Sequence, residues 1–160
     1  MAKLDNKIAL ITGSDSGMGQ AMAEEFAKAG PNVAVTFHTD EAGAEESRRR
    51  VQAAGRRAIV RQTDVRDEKS GARLFEAVSS ELGIPDILVN NAGVGSSGAS
   101  VAGMTTEEFD RVIKTDLYGP FFCCREFIAR TRRGQATLAS QKPKRSRPKP
   151  RPPRRRPWSA

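Results

Sequence analysis

Short apolar runs and helical repeats alternate along the first 130 residues of the chain. Lys7–Thr12 (KIALIT) is an apolar run followed by Gly13, a pattern typical of a buried parallel strand. Apolar positions then recur at helical spacing over Gly17–Ala29, and Gly30 with Pro31 ends that helix. The same alternation predicts strands over Val33–Phe37, Ala58–Val60 and Asp86–Asn90, and helices over Glu41–Ala54, Glu68–Leu82 and from Thr105 to about Arg130, with Gly119-Pro120 as a candidate break.

This order of elements predicts an α/β fold. Strand and helix alternate four times with short connections, which is the arrangement of a parallel sheet with right-handed crossovers and helices on both faces. We therefore predict a Rossmann-type doubly wound sheet, incomplete at about four strands, over residues 1–133. The periodicity vanishes at Gly134, and the composition of residues 134–160 predicts a disordered segment rich in Pro and Arg.

Charge divides the chain at nearly the same place. Residues 1–126 hold 15 Lys and Arg against 19 Asp and Glu, whereas residues 127–160 hold 12 Lys and Arg and no acid. The net charge of +8 therefore arises from the tail. Such a polycation would bind polyanions in a salt-sensitive way. We prefer a solvated tail without a nucleic-acid partner, and polyanion binding stays an alternative.

The sequence gives no sign of a membrane segment. No apolar run reaches the length of about 18 residues that a spanning helix needs, and Gly13-Ser14-Asp15 ends the first run too early for a signal peptide. The two cysteines, Cys123 and Cys124, are adjacent and cannot bridge distant parts of a fold. We predict a cytoplasmic protein without a metal site.

The turn between the first strand and the first helix carries the candidate chemistry. A glycine turn there lets the backbone approach a pyrophosphate, and the helix N-terminus adds free N–H groups and partial positive charge. Gly13 is assigned the turn, Gly17 the approach of the phosphates and Gly19 the packing of helix on strand. A purely structural turn is the alternative. The candidate binding residues here are Gly13, Ser14, Ser16, Gly17, Met18 and Gly19.

Four motifs, in order, resemble the short-chain dehydrogenase/reductase family. They are G-x-x-x-G-x-G preceded by Thr12, Asp64-Val65, Asn90-Asn91-Ala92-Gly93, and the stretch 112–121 (VIKTDLYGPF). The resemblance covers residues 5 to about 130. Within the family, the TGS start and the DLYGPFF run are similar to the glucose-dehydrogenase-like sugar and polyol branch. The resemblance implies that Asp64 and Val65 contact adenine and that Asn91, Ala92 and Gly93 also bind the cofactor.

The resemblance implies a nicotinamide dinucleotide cofactor and hydride transfer between it and a small alcohol or carbonyl substrate. An acid at the end of the second strand would bind the ribose hydroxyls of NAD. The matching position is Phe37, followed by His38 and Thr39, and Asp40 comes three residues late. We therefore favour NADP over NAD. His38, the only histidine, is interpreted as a loop residue at this site and not as a catalytic group.

The groups that perform the family's chemistry are not found in this sequence. The reaction uses a Ser and a Tyr-x-x-x-Lys pair, yet the only tyrosine, Tyr118, is followed four residues later by Phe122 and is assigned a packing role. Asp116 occupies the family's active-site Asn position, where an ionised carboxylate accepts hydrogen bonds but cannot donate them. We predict nucleotide binding without turnover. A truncation, through a shifted reading frame or misassembled gene near 130–134, is our hypothesis for the loss.

Two further functions stay open from the sequence. One is a non-catalytic protein whose basic tail binds nucleic acid or an acidic partner. The other is a regulatory partner of full-length relatives that associates through the last helices, which in the resembled family often form oligomer contacts. The substrate itself is not indicated, because in that family it is shaped by a segment that follows the catalytic tyrosine.

Overall fold

A computed structural model of the chain describes residues 4–95, 98 and 100–141, with side chains described as far as residue 132. Strands and helices alternate as predicted. Their bounds are β1 Ile8–Ile11, α1 Gly17–Ala29, β2 Asn32–Phe37, α2 Glu41–Ala53, β3 Ala58–Gln62, α3 Glu68–Glu81, β4 Ile87–Val89, α4 Thr106–Ile113 and α5 Gly119–Gln141, with a π turn at Lys114–Tyr118 joining α4 to α5.

The four strands form one parallel sheet in the order β3-β2-β1-β4. The central strand β1 pairs Ala9 with Val33 of β2 on one side and with Ile87 of β4 on the other. All four residues of β1 are buried, which explains why the sequence there is a continuous apolar run and not an alternating one. The predicted Rossmann-type sheet is confirmed, with β1 and β2 as its two inner strands.

Helices cover both faces of the sheet and create two apolar cores. On one face, Ile11 and Val35 pack with Ala23 of α1 and Val51 of α2. On the other face, Leu10 packs with residues of α3 and α5. Neighbouring residues of β1 therefore serve opposite cores, as the pleat of a strand requires. The second core is built from Ile8, Leu10, Ala34, Leu74, Phe75, Val78 and Cys123.

Three of the helices begin with a side-chain cap. The Asp40 carboxylate accepts from the Gly43 N–H at 2.9 Å at the start of α2. Asp67 caps α3, and the Thr105 hydroxyl accepts from the Glu108 N–H at 3.2 Å at the start of α4. These bonds satisfy N–H groups that the first helical turn leaves without partners. The helix start predicted at Thr105 is therefore confirmed.

The helical path after Thr105 differs from the prediction at two points. The candidate break at Gly119-Pro120 is not a break, because a π turn over Lys114–Tyr118 carries the chain directly into α5. Pro120 lies in the first turn of α5, where a missing N–H and a fixed φ angle are tolerated best. A Cβ atom on Gly119 would lie only 3.0 Å from Val65 Cγ2, so glycine permits this approach.

The prediction that this helix ends near Arg130 is wrong. Helix α5 continues to Gln141. Residues 135–141 (QATLASQ) contain no proline or glycine and include several good helix formers, so an existing helix can propagate through them. Helix α5 covers residues 134–141 of the segment predicted to be disordered. Residues 142–160 lie outside the described residues, and the domain boundary at residue 134 stays a prediction.

Among the described residues, no helix is both long enough and apolar enough to cross a bilayer.

A matched pair of valines tests the second core. Val78 of α3 is fully buried, whereas Val101 is 93% exposed. We expect Val78→Ala to lower the free energy of unfolding by about 2 kcal/mol, because it removes buried methyl groups and leaves a cavity. Val101→Ala should change it by less than about 0.5 kcal/mol. Urea unfolding followed by circular dichroism measures both, and equal effects would contradict the described packing.

Candidate functional site

A cleft of about 610 Å³ opens at the carboxyl ends of the four strands. Its volume lies within the range of small-molecule sites in proteins. The structure brings thirteen of the predicted binding residues to its wall. They are Gly13, Ser16, Gly17, Met18, Gly19, Phe37, His38, Thr39, Asp64, Val65, Asn91, Ala92 and Gly93.

Two glycines of the turn, Gly13 and Gly19, are packed too closely against their neighbours to carry a side chain. Gly13 has φ +59°, and a Cβ atom there would lie 2.9 Å from Ala92 Cα. A Cβ atom on Gly19 would lie 2.5 Å from Asn91 Nδ2 and closer still to the Gly13 carbonyl. The roles predicted for these two glycines, a turn and a close contact of helix with strand, match these distances.

Ser14 is the predicted binding residue that the structure places elsewhere. It is fully buried. Its hydroxyl donates to the Ile11 carbonyl at 2.9 Å and accepts from the Thr36 N–H at 3.0 Å. Its own N–H donates to the Thr36 carbonyl at 2.8 Å. Both polar groups are occupied inside the sheet, so Ser14 fixes the turn and does not face the cleft.

The N-terminus of α1 faces the cleft without a side-chain cap. The capping residue Ser16 makes no side-chain hydrogen bond to the helix, in contrast to the caps of α2, α3 and α4. A Cβ atom placed on Gly17 would meet nothing within 4 Å, so the space beside this turn is open. Free N–H groups and the positive end of the helix dipole make this position suitable for an anion.

Thr12 and Asn91 join the end of β1 to the end of β4. The Thr12 hydroxyl accepts from the N–H groups of Asn91 and Ala92, each at 3.1 Å. The Asn91 amide donates to the carbonyls of Thr12 at 3.1 Å and Gly13 at 2.6 Å. Asn91 therefore orders the wall of the cleft with its side chain. The position of Thr12 before the first glycine does not by itself predict these bonds, because their partners lie 79 and 80 residues away in the chain.

An ion pair forms the wall at the end of β3. Arg66 donates to both carboxylate oxygens of Asp64, with Nη2 2.7 Å from Oδ2. His38 Nε2 lies 3.7 Å from the same oxygen. These contacts, the hydrogen bonds from Arg66 above all, lower the pKa of Asp64. The carboxylate is thus held ionised and oriented beside the cleft. Arg66 was missed because an exposed arginine has no local signature.

Asp116 holds the segment that follows β4. Its Oδ1 accepts from the Val94 N–H at 2.9 Å, and Arg111 donates to the Gly95 carbonyl at 3.0 Å. An asparagine oxygen could accept the Val94 bond equally well, so the change from Asn to Asp preserves this acceptor. Asp116 does not line the cleft, whereas Arg111 and Thr115 of the same helical path do.

The remaining candidates lie apart from the cleft wall. Tyr118 is half-exposed and contacts Phe122, with ring centroids 6.1 Å apart, which agrees with the packing role predicted for it. Cys123 is buried in the second core, and burial raises the pKa of its thiol to about 11. Cys124 is exposed and accepts from the Asn90 amide, with Nδ2 3.3 Å from Sγ.

The sequence model of the short chain dehydrogenase family matches residues 7–138, which is most of the chain. The chain belongs to the short-chain dehydrogenase family. The match extends past residue 130, where the predicted resemblance ended, and covers most of α5.

Individual members of the short-chain dehydrogenase family show the same similarity. General stress protein 39 of Bacillus subtilis is 36% identical over 136 residues, covering 85% of this chain and 48% of that protein. The 3beta-hydroxysteroid dehydrogenase 1 of Eggerthella lenta is 39% identical over 125 residues, covering 78% and 48% respectively. The chain therefore spans about half the length of the curated relatives it matches.

A solved member of the family has the same fold over the shared region. The short chain dehydrogenase of Burkholderia cenocepacia, crystallised with NADP, superposes with a TM-score of 0.76 at 30% identity. The superposition covers 80% of this chain and 52% of that one.

Two helical glycines test the close contact in the turn. We expect Gly19→Ala to lower the free energy of unfolding by more than about 2 kcal/mol, because the new methyl group collides with the Gly13 carbonyl and the Asn91 amide. The control is Gly71→Ala in α3, where the methyl group meets nothing within 4 Å. That change should stabilise the protein by about 0.5 kcal/mol. Denaturant unfolding of both variants decides, and a neutral Gly19→Ala would contradict the geometry.

The ion pair at the end of β3 predicts a change in titration. Arg66→Gln should raise the pKa of Asp64 towards its ordinary value, because the strongest hydrogen bonds to the carboxylate are lost. The stabilisation from this pair is present above the unfolded pKa of Asp64 and is lost as the pH falls through the lowered folded pKa. NMR titration of the Asp64 carboxyl carbon measures the shift.

Arg73→Gln is the control for that titration, since Arg73 pairs with Asp67 and not with Asp64. It should leave the titration of Asp64 unchanged. An Asp64 pKa that is the same with and without Arg66 would show that the described ion pair does not form in solution.

Proposed function

We propose that this chain binds a nicotinamide dinucleotide in the cleft and does not turn over a substrate by itself. The observation that carries the proposal is the uncapped N-terminus of α1 beside a turn in which Gly13 and Gly19 leave no room for a side chain and the space next to Gly17 is open. Such a turn brings backbone N–H groups to a diphosphate without steric conflict. Membership in a family of dehydrogenases supports the same ligand.

Different walls of the cleft would contact different parts of such a ligand. Ser16, Gly17 and Met18 would contact the diphosphate, and Asp64 with Val65 would contact the adenine. The carboxylate of Asp64 is an acceptor suited to an exocyclic amino group. Asn91, Ala92 and Gly93 line the cleft after β4 and would also contact the cofactor, as the resemblance to the family implies. The bound dinucleotide would supply a hydride donor or acceptor for an alcohol or carbonyl substrate.

The residues of this chain do not provide the proton transfer that such a reaction requires. The 160-residue sequence contains no Tyr-x-x-x-Lys. Asp116 is engaged with the Val94 N–H, and its carboxylate can accept but cannot donate while ionised. These features support a binding function without turnover. The substrate class of the full family reaction, including the sugar and polyol branch, stays a prediction.

We favour NADP over NAD as the ligand. None of Phe37, His38 and Thr39, which line the cleft at the end of β2, carries a carboxylate. An acid at this point would bind the ribose hydroxyls of NAD and repel the additional phosphate of NADP. The Asp64 carboxylate, 3.7 Å from His38 Nε2, is paired with Arg66. The cationic side chain of Arg66 also lines the cleft. The related protein from Burkholderia cenocepacia was crystallised with NADP.

Association through the last helices is a further part of the proposal. Three apolar side chains recur at spacings of four and seven residues, namely Leu117, Phe121 and Ile128. Leu117 and Phe121 are more than half exposed, and Ile128 is half exposed. An apolar stripe of this kind on a helix is typical of a protein contact. A second copy of the chain or a longer relative would cover it.

The cytoplasm suits the two free cysteines. The role of the basic tail as a polyanion ligand stays an alternative prediction.

Calorimetry on the full chain with NADPH and NADH tests this function. We expect measurable binding of both, tighter for NADPH, and no oxidation or reduction of an alcohol and ketone panel. His38→Asp should weaken NADPH binding about tenfold relative to His38→Asn, because it places a carboxylate near the extra phosphate. NADH binding should be unchanged or tighter in His38→Asp, because the new carboxylate can accept hydrogen bonds from the ribose hydroxyls of NADH.

The outcomes separate the parts of the proposal. Failure of the unchanged chain to bind either dinucleotide would refute the binding function. Turnover by this chain alone would refute the inactive assignment and leave the binding site in place. Equal effects of His38→Asp on both ligands would remove the preference for NADP.

A further inference from the structure

A buried polar cluster lies behind the glycine turn, on the side away from the cleft. Ser47 of α2 is 1% exposed, and its hydroxyl donates to the Ser14 carbonyl at 2.6 Å. The Gln20 amide of α1 donates to Ser47 Oγ at 3.1 Å and to the Asp15 carbonyl at 3.4 Å. Neither Ser47 nor Gln20 lines the cleft. Two consecutive carbonyls of the turn are therefore held by side chains from two different helices.

The first turn of α2 is pressed directly against this part of the chain. A Cβ atom on Gly43 would collide with the Asp15 carbonyl and would lie 2.5 Å from Asp40 Oδ2. The Gln20 amide also reaches the Gly43 carbonyl at 3.3 Å. Glycine at this position lets α2 approach the turn, so that Ser47, one helical turn later, reaches the Ser14 carbonyl.

The direction of a carbonyl fixes the direction of the N–H group that follows it. A trans peptide unit is planar, with its C=O and N–H pointing in opposite directions, and the described residues contain no cis bond. Because the Ser14 and Asp15 carbonyls are drawn towards Ser47 and Gln20, the N–H groups of Asp15 and Ser16 are directed away from α2. Asp15 and Ser16 themselves line the cleft.

We propose that Ser47 and Gln20 are positioning residues that set the orientation of the Asp15 and Ser16 N–H groups for a diphosphate. This inference rests on the proposed dinucleotide site. It assigns to α2 an indirect role in binding, because this helix would orient the turn that contacts the ligand. The clamp formed by Ser47 and Gln20 acts on the diphosphate and not on the adenosine, because its described hydrogen bonds go to the turn and to Gly43 and not to His38 or Asp64.

The experiment compares two ligands that differ in the diphosphate. Calorimetry measures NADPH binding, and NMR titration measures adenosine 2′-monophosphate, which lacks a 5′-phosphate. Ser47→Ala removes the donor to the Ser14 carbonyl and should raise the Kd for NADPH about fivefold to tenfold. The Kd for adenosine 2′-monophosphate should change by less than about twofold. A merely structural role would weaken both ligands together.

Two further variants complete the set. Gln20→Met keeps the length of the side chain, removes its donors and should weaken NADPH binding about threefold. It also decides the question if Ser47→Ala fails to fold. Ser79→Ala is the control, because the Ser79 hydroxyl donates to the Phe75 carbonyl at 2.7 Å within α3, on the other face of the sheet. It should change neither Kd.

Each outcome has one meaning. A selective loss of NADPH affinity in Ser47→Ala and Gln20→Met supports the clamp. Unchanged NADPH binding, or equal losses for both ligands, would overturn the clamp and leave the proposed function standing. If the unchanged chain binds no NADPH, the proposed function and the clamp are both overturned.

Discussion

The contact between α1 and the end of β1 is the constraint on which the site depends. At Gly19 the backbone of the helix touches the Gly13 carbonyl so closely that even a methyl group does not fit. This contact places the helix N-terminus over the sheet. The remaining features of the cleft follow from it: the open N–H groups of α1, the inward position of Ser14 and the reach of the Asn91 amide to the turn.

The two cores keep this contact rigid from opposite sides. Ile11 and Val35 anchor α1 and α2 on one face, and Leu10 anchors α3 and α5 on the other. Because β1 is central and pairs on both edges, the turn that follows it cannot shift without disturbing both neighbouring strands. A well-packed scaffold with a few polar groups at the strand ends is the usual design of a binding site in an open α/β sheet.

Local patterns in the sequence were sufficient for the sheet and for most of the cleft. The apolar run before Gly13 predicted a buried strand, and the glycine spacing placed the turn at a helix N-terminus. Contacts between distant residues carry no such pattern. The position of Ser14 in the turn suggests a ligand contact, but its hydroxyl accepts a hydrogen bond from the Thr36 N–H, a residue 22 positions away. Ser47, Gln20 and Arg66 have no local signature at all. The length of α5 was missed because propagation from a formed helix overrides weak periodicity.

The bonds between Thr12 and Asn91 also bear on how the site is assembled in time. These residues are 79 positions apart in the chain. This wall of the cleft therefore forms only after β1 has paired with β4. Pairing two strands so far apart in the chain costs conformational entropy before any contact between them stabilises the fold. A molecule bound against both strand ends is therefore held only by chains that have completed this long-range pairing. At a given concentration of free ligand, tighter binding therefore raises the free energy of unfolding of the whole sheet.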